Sequence, residues 1–219
     1  MKAQERWIQT RPQTNGLQAD KDYLWAIDQT DNHLYKLSYE DGSIIEKMST
    51  ATVNPSGVTL GGGYIWGAST YSCELFKLTP KGETVETYDT PGKGVVAYAN
   101  SEDQPPTGAH GMEWVDNNNM WVAVPPAQKV FLVDPSNMSV KHSIPTPGIR
   151  PHGLFMHDEF MWLADTQEAK IHKLDPDDGT ILEEIEISEP EIHGMTLKDN
   201  DIWFCCSETR RVCTVPLPI

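Results

Sequence analysis

The chain has 219 residues, with 32 acidic against 17 basic side chains and a formal net charge of −15. That balance argues against nucleic acid or an anionic membrane as partner. No apolar run approaches the roughly 20 residues that a membrane span needs, and the N-terminal MKAQERWIQT lacks a signal peptide's apolar stretch. Cys73, Cys205, Cys206 and Cys213 form no CxxC pair, so a reduced, cytoplasmic chain is expected.

In chain order, residues 5–10 (ERWIQT) read as a short strand with no partner nearby in sequence. A complete unit follows. Residues 17–20, 23–28, 33–38 and 43–48 are four short strands separated by polar turns, the last at Glu40-Asp41-Gly42. Such spacing marks an antiparallel meander. The pattern returns as VTLGG, YIWGAS, ELFKLT and TVETYD, then as GMEWVD, MWVAVP, KVFLVD and SVKHSI. It returns again as GLFMHD, MWLADT, KIHKLD and TILEEIEI, and finally as GMTLKD, IWFCCS and RVCTVP. No segment carries an apolar stripe of helical period, which excludes helical arrays.

Five windows fix the register: QTNGLQA, NPSGVTL, GAHGMEW, RPHGLFM and EIHGMTL. Their glycines are Gly16, Gly57, Gly111, Gly153 and Gly194, at spacings of 41, 54, 42 and 41 residues, and a Trp recurs after each window (Trp25, Trp66, Trp121, Trp162, Trp203). Periods of about 40–50 residues denote propeller blades. The expected fold is all-β: a single five-bladed β-propeller over residues 1–219 with four-stranded antiparallel blades. The last blade is one strand short, and the strand at 5–10 supplies it. Closing the ring this way removes exposed strand edges. The long spacing places an insert at residues 93–107, which is expected to hang over the channel mouth as a lid. Tyr98 is its best candidate for reaching inward.

The residue before each axial Gly is Asn15, Ser56, His110, His152 or His193. In a closed ring, equivalent positions lie on one circle, so three imidazoles from adjacent blades can meet one atom. Neutral imidazoles suit divalent transition metals, and three protein ligands leave an open coordination position for chemistry. A polar ring in a wet channel can equally hold only water, as Asn15 and Ser56 illustrate. Two residues past the Gly, Glu113 is the one ionisable member of a mostly polar position, and is read as a possible general base. Asp28 and Asp165 are expected to satisfy backbone donors at turns. Cys206 reads as buried filler, and His33, His142, His157 and His172 as surface or turn residues.

The units PHGLFMHDEFMWLADTQEAKIHKLDPDDGT and NGLQADKDYLWAIDQTDNHLYKLSYEDGS, with their His-Gly step, Trp-centred second strand and K-L-D-P-x-x-G turn, resemble blades of the virginiamycin B lyase-like group within the NHL and SMP-30 propellers. That resemblance implies metal-dependent lyase or lactonase chemistry. A related six-bladed lyase holds zinc through three channel histidines, similar to the role open to His110, His152 and His193. The expectation is therefore a lyase or hydrolase acting on a small polar, ester- or lactone-like molecule. Its cofactor would be a divalent metal (zinc, iron, manganese, magnesium or calcium) on His110, His152 and His193. Glu113, His152 and Tyr98 would be the catalytic residues and a small molecule the partner. The alternatives are a non-catalytic propeller that binds a protein or small ligand, and a metal-dependent oxidoreductase.

Overall fold

A computed structural model describes residues 1–9, 13–98 and 103–218. Its described residues form five four-stranded antiparallel sheets and one short 3-10 turn. The outermost strand of the last blade is β1 (Gln4–Ile8). Blade 1 is β2 (Thr14–Ala19), β3 (Leu24–Asp28), β4 (His33–Leu37) and β5 (Ile44–Ser49). Blade 2 is β6 (Gly57–Gly61), β7 (Tyr64–Ser69), β8 (Glu74–Leu78) and β9 (Thr84–Asp89). Blade 3 is β10 (Gly111–Asp116), β11 (Asn119–Val124), β12 (Lys129–Val133) and β13 (Val140–Pro145). Blade 4 is β14 (Pro151–His157), β15 (Phe160–Asp165), β16 (Lys170–Leu174) and β17 (Ile181–Glu186). Blade 5 is β18 (Ile192–Lys198), β19 (Asp201–Cys206) and β20 (Arg211–Pro216), closed by β1 in antiparallel register with β20. The expected five blades and their closure are thus both present. Thr10, expected at the end of the closing strand, lies outside the described residues. None of the described helices is long and apolar enough to cross a membrane.

The core lies between blades rather than at the centre. Each apolar cluster joins two neighbours: Trp25, Ile27 and Leu34 with Val58 and Phe76, for example, or Trp162 and Ile171 with Met195 and Phe204. The five repeated tryptophans are all buried in these layers. In blades 1, 2 and 4 the Lys of the K-L step stands opposite the Trp across the ladder. Its ammonium lies 4.9, 5.6 and 5.6 Å from the ring centroid, a cation–π contact that covers the indole where the blade meets solvent. Burying the apolar stem while the charge stays wet explains why Lys recurs there.

The inner strands β2, β6, β10, β14 and β18 touch one another around the axis, and this dictates the glycines. A Cβ on Gly111 would overlap the carbonyl oxygen of His152 and lie 2.8 Å from its carbonyl carbon. One on Gly153 would lie 2.6 Å from the carbonyl oxygen of His193, and one on Gly57 3.1 Å from that of His110. Gly is required by the neighbouring blade's backbone, not by a left-handed φ. The turn glycines Gly42, Gly82 and Gly179, at φ of 72°, 83° and 81°, are the ones chosen for conformation. Replacing Gly111 by Ala forces two inner strands apart, with an expected loss of about 3 kcal/mol of stability in denaturant unfolding. A loss below about 0.5 kcal/mol would show that the axis is slack.

Candidate functional site

The Gly that draws each inner strand to the axis also brings the preceding side chain there. His110 and His152 have ring centroids 4.4 Å apart, and His152 and His193 4.3 Å. All three are buried, at 7, 1 and 5% exposure. The three rings therefore lie together, with His152 in contact with both others. His110 Nδ1 and His152 Nε2 are 2.8 Å apart and share one hydrogen bond. On the other side of the ring, the Asn15 amide donates to Ser56 Oγ at 2.9 Å. Beneath the imidazoles the glycines close the axis to a cavity of about 10 Å³, room for about one water.

Burial keeps the cluster neutral. Desolvation, helped by His193 and Arg150, lowers His110 to about 3. Desolvation and Arg150 lower His193 to about 4, and His152 is pushed well below its ordinary value mainly by desolvation. His110 Nε2, His152 Nδ1 and His193 Nδ1 are buried with no hydrogen-bond partner.

This donor chemistry suits a divalent ion, with neutral rings and one unpartnered nitrogen on each. Proton counting adds a condition. Two neutral imidazoles carry two protons, and one of these lies in the His110–His152 bond. Only one of their outer nitrogens can then be a lone pair, so that bond must open before all three rings can coordinate one ion. Among the described residues, no group of three or more His, Cys, Asp or Glu side chains stands ready to hold a metal.

Three residues before the axial Gly, adjacent blades carry opposite charges. Arg150 Nη1 lies 3.2 Å from Glu191 Oε1. Glu191 Oε2 accepts from Ser207 Oγ at 2.8 Å, and Ser207 Oγ lies 3.1 Å from His193 Nε2. The guanidinium sits 5.2 Å from the Tyr98 ring centroid. Burial raises the Tyr98 phenol pKa. The base of the insert is pinched by paired backbone bonds between Gly94 and Thr107, at 3.1 and 2.7 Å, with Val96 buried. Tyr98 therefore stands against Arg150, the rim partner of Glu191; residues 99–102 of the insert lie outside the described residues.

Glu113 is not brought to the histidines. Its carboxylate takes the Met156 backbone N–H of the next blade. Thr59 does the same for Trp114 N–H and Thr196 for Ala19 N–H, both at 3.0 Å. The repeat position is a clasp between blades. Enclosure by protein pushes Glu113 up to about 8, although a little of its surface stays accessible, so it is largely protonated at neutral pH. His172 also departs from expectation. It is 1% exposed on β16, where other blades carry Tyr35, Phe76 and Phe131, with Nδ1 3.3 Å from Glu184. Asp165 holds the backbone N–H groups of Arg150, Gln167 and Glu168, and Asp28 those of Thr30 and Asp31, the turn role expected. Cys206 is packed in the core.

Arg150, Glu191 and Ser207 were not singled out by sequence reasoning. The available signal was the charge pair at one repeat position, which reads Gln13, Asn54, Gly108, Arg150 and Glu191.

A pH dependence follows for metal-free protein. The lowered histidines bind protons in the unfolded chain before the native one, so their stabilisation is complete above 6.5 and is lost as pH falls toward 4 and 3. Glu113 has the opposite sign: its contribution is complete below 4.5 and is lost as pH rises through 8. Three histidines outweigh one carboxyl on the acid side, so denaturant midpoints should peak near about pH 7. His193→Gln should make the acid limb shallower, and Glu113→Gln should flatten the alkaline one. A flat profile from pH 7 to 5 contradicts this account.

No family model and no curated protein sequence matches the chain. Among solved structures it is similar to the glutaminyl cyclase of Myxococcus xanthus, with a TM-score of 0.76 and 12% identity over 98% of this chain and 96% of that one. A streptogramin B lyase matches with a TM-score of 0.56 and 20% identity, over 96% of this chain and 67% of the lyase. The virginiamycin B lyase of Staphylococcus aureus matches with 0.55 and 17%, over 93% and 69%. At these identities the likeness is one of fold. The chain is a five-bladed β-propeller, and its likeness to these structures is a likeness of fold.

Proposed function

We propose that this propeller is an enzyme of lyase or hydrolase type acting on a small polar, ester- or lactone-like molecule at the three-histidine mouth. A divalent metal on His110, His152 and His193 would be its cofactor. The observation that carries the reading is the cluster itself: three buried, neutral imidazoles with His152 in contact with both others, each with one nitrogen lacking a partner. Buried polar atoms without a protein partner generally meet a water, an ion or a ligand.

When bound, the metal supplies Lewis acidity toward a substrate oxygen. The chain's own residues bind and orient. Arg150 offers a guanidinium at the rim, and Tyr98 covers it and thins the water around it. The histidines stay uncharged because protonating them costs desolvation, so their outer nitrogens become available as lone pairs once the His110–His152 bond opens. Glu113 has no part in this chemistry and is not proposed as the base. That two propellers of this fold are named as lyases and one as a cyclase supports an enzyme over a binding module.

The hydrogen bond between His110 and His152 favours a second reading, in which the imidazoles are a polar plug and the propeller only binds ligands on its faces. Protein purified without a histidine tag separates the two. The enzyme reading expects metal-dependent turnover of lactones or esters, abolished by chelator and by His152→Ala; metal-independent behaviour and no turnover favour the plug.

A further inference from the structure

We propose that Glu191 and Ser207 are positioning residues that fix the tautomer of His193, holding the proton on Nε2 so that Nδ1 faces the axis as a bare lone pair. The inference deepens the three-histidine reading and rests on it only for its functional meaning. It follows from donor counting along one chain of contacts. Glu191 pairs with Arg150 at 3.2 Å. Facing a guanidinium, it is a carboxylate. A carboxylate only accepts, so the 2.8 Å contact requires Ser207 Oγ–H to donate to Glu191. A hydroxyl has one proton. Ser207 therefore meets His193 Nε2, 3.1 Å away, with a lone pair, and the ring nitrogen must be the N–H. His193 Nδ1 is then unprotonated, and it is the nitrogen found buried without a partner.

The same contacts invite a rival assignment, Ser207 as nucleophile with His193 as its base. The direction of the bonds speaks against it, because the hydroxyl proton already lies on Glu191. Outer partners that orient a ligating imidazole in this way typically change metal affinity 10–100-fold when removed. Through Arg150 the relay reaches Tyr98, so the insert and the imidazole cluster are joined by one set of contacts.

The test is ¹⁵N NMR of histidine-labelled, metal-free full chain at pH 7, with the His193 signals assigned by their loss in His193→Gln. Wild type should show protonated Nε2 and unprotonated Nδ1. Ser207→Ala should mix the tautomers and Ser207→Thr should restore wild-type signals. Glu191→Gln should move the proton toward Nδ1, because an amide can donate to Ser207 and reverse the hydroxyl. Zinc titration should show affinity about 10–100-fold lower in Ser207→Ala and recovered in Ser207→Thr. A wild-type His193 protonated on Nδ1, or tautomers unchanged in both Ser207→Ala and Glu191→Gln, overturns the relay. A fixed tautomer in protein that takes up no zinc sustains the relay and overturns the metal reading instead. Should Ser207→Ala not fold, the Thr and Gln variants decide the matter by the same signals.

Discussion

Deleting residues 1–9 is expected to leave a chain that does not melt cooperatively and that associates in solution. Those residues include β1, the outer strand of blade 5, which pairs with β20 from Gln4–Thr214 to Ile8–Arg211. Without it, β20, whose Val212, Cys213, Thr214 and Val215 are buried, replaces the largely exposed β1 as the outer edge of blade 5, and an apolar open edge recruits other chains. Trp7 adds packing to pairing. It is 8% exposed, its ring lies 5.7 Å from Trp203, and it shares a cluster with Leu17, Tyr35 and Leu37 of blade 1. The N-terminal strand thus joins the last blade to the first. Trp7→Ala alone should cost about 3–5 kcal/mol, a fall of roughly 10 °C in Tm for a chain of this size. Circular dichroism and size-exclusion chromatography read both variants. A deletion variant that melts cooperatively within a few degrees of wild type shows that ring closure is dispensable.

The repeat made most of this architecture legible. A glycine that recurs with a Trp at fixed distance reports which positions are equivalent, and equivalence about an axis fixed the blade number, the closing strand and the meeting of His110, His152 and His193. The insert was visible as the one broken spacing, and Tyr98 as the large polar aromatic within it. Equivalence does not report direction. Glu113 shares a position with Thr59 and Thr196, and polarity suggested the channel; the side chains instead clasp the next blade's backbone, which only the packing of neighbouring strands reveals. His172 misled for a related reason. It replaces an aromatic residue in the third strand, and its register with Tyr35, Phe76 and Phe131 was the available sign that the position is a core one. Arg150, Glu191 and Ser207 form a rim from residues far apart in the chain, and hydrogen-bond direction among them appears only when the atoms are placed.

Loss of metal and of turnover in His152→Ala should be complete, the largest functional effect expected here. His152 is the central ring of the three, in contact with both neighbours. On the proposed reading it would supply the ligand between His110 and His193, so removing it would leave two imidazoles, too few to hold a divalent ion tightly. Truncation at a 1% exposed site also leaves a void. His152→Gln is therefore the companion variant, since it keeps volume and polarity and should retain the wild-type melting transition while still failing to load metal. Elemental analysis of untagged wild type, after equilibration with zinc and gel filtration, is the most direct measurement. One bound ion per chain, absent from both His152 variants at unchanged fold, is the predicted result. Wild-type protein that emerges metal-free, or variants that load as wild type does, would contradict the assignment of the axis as a metal centre.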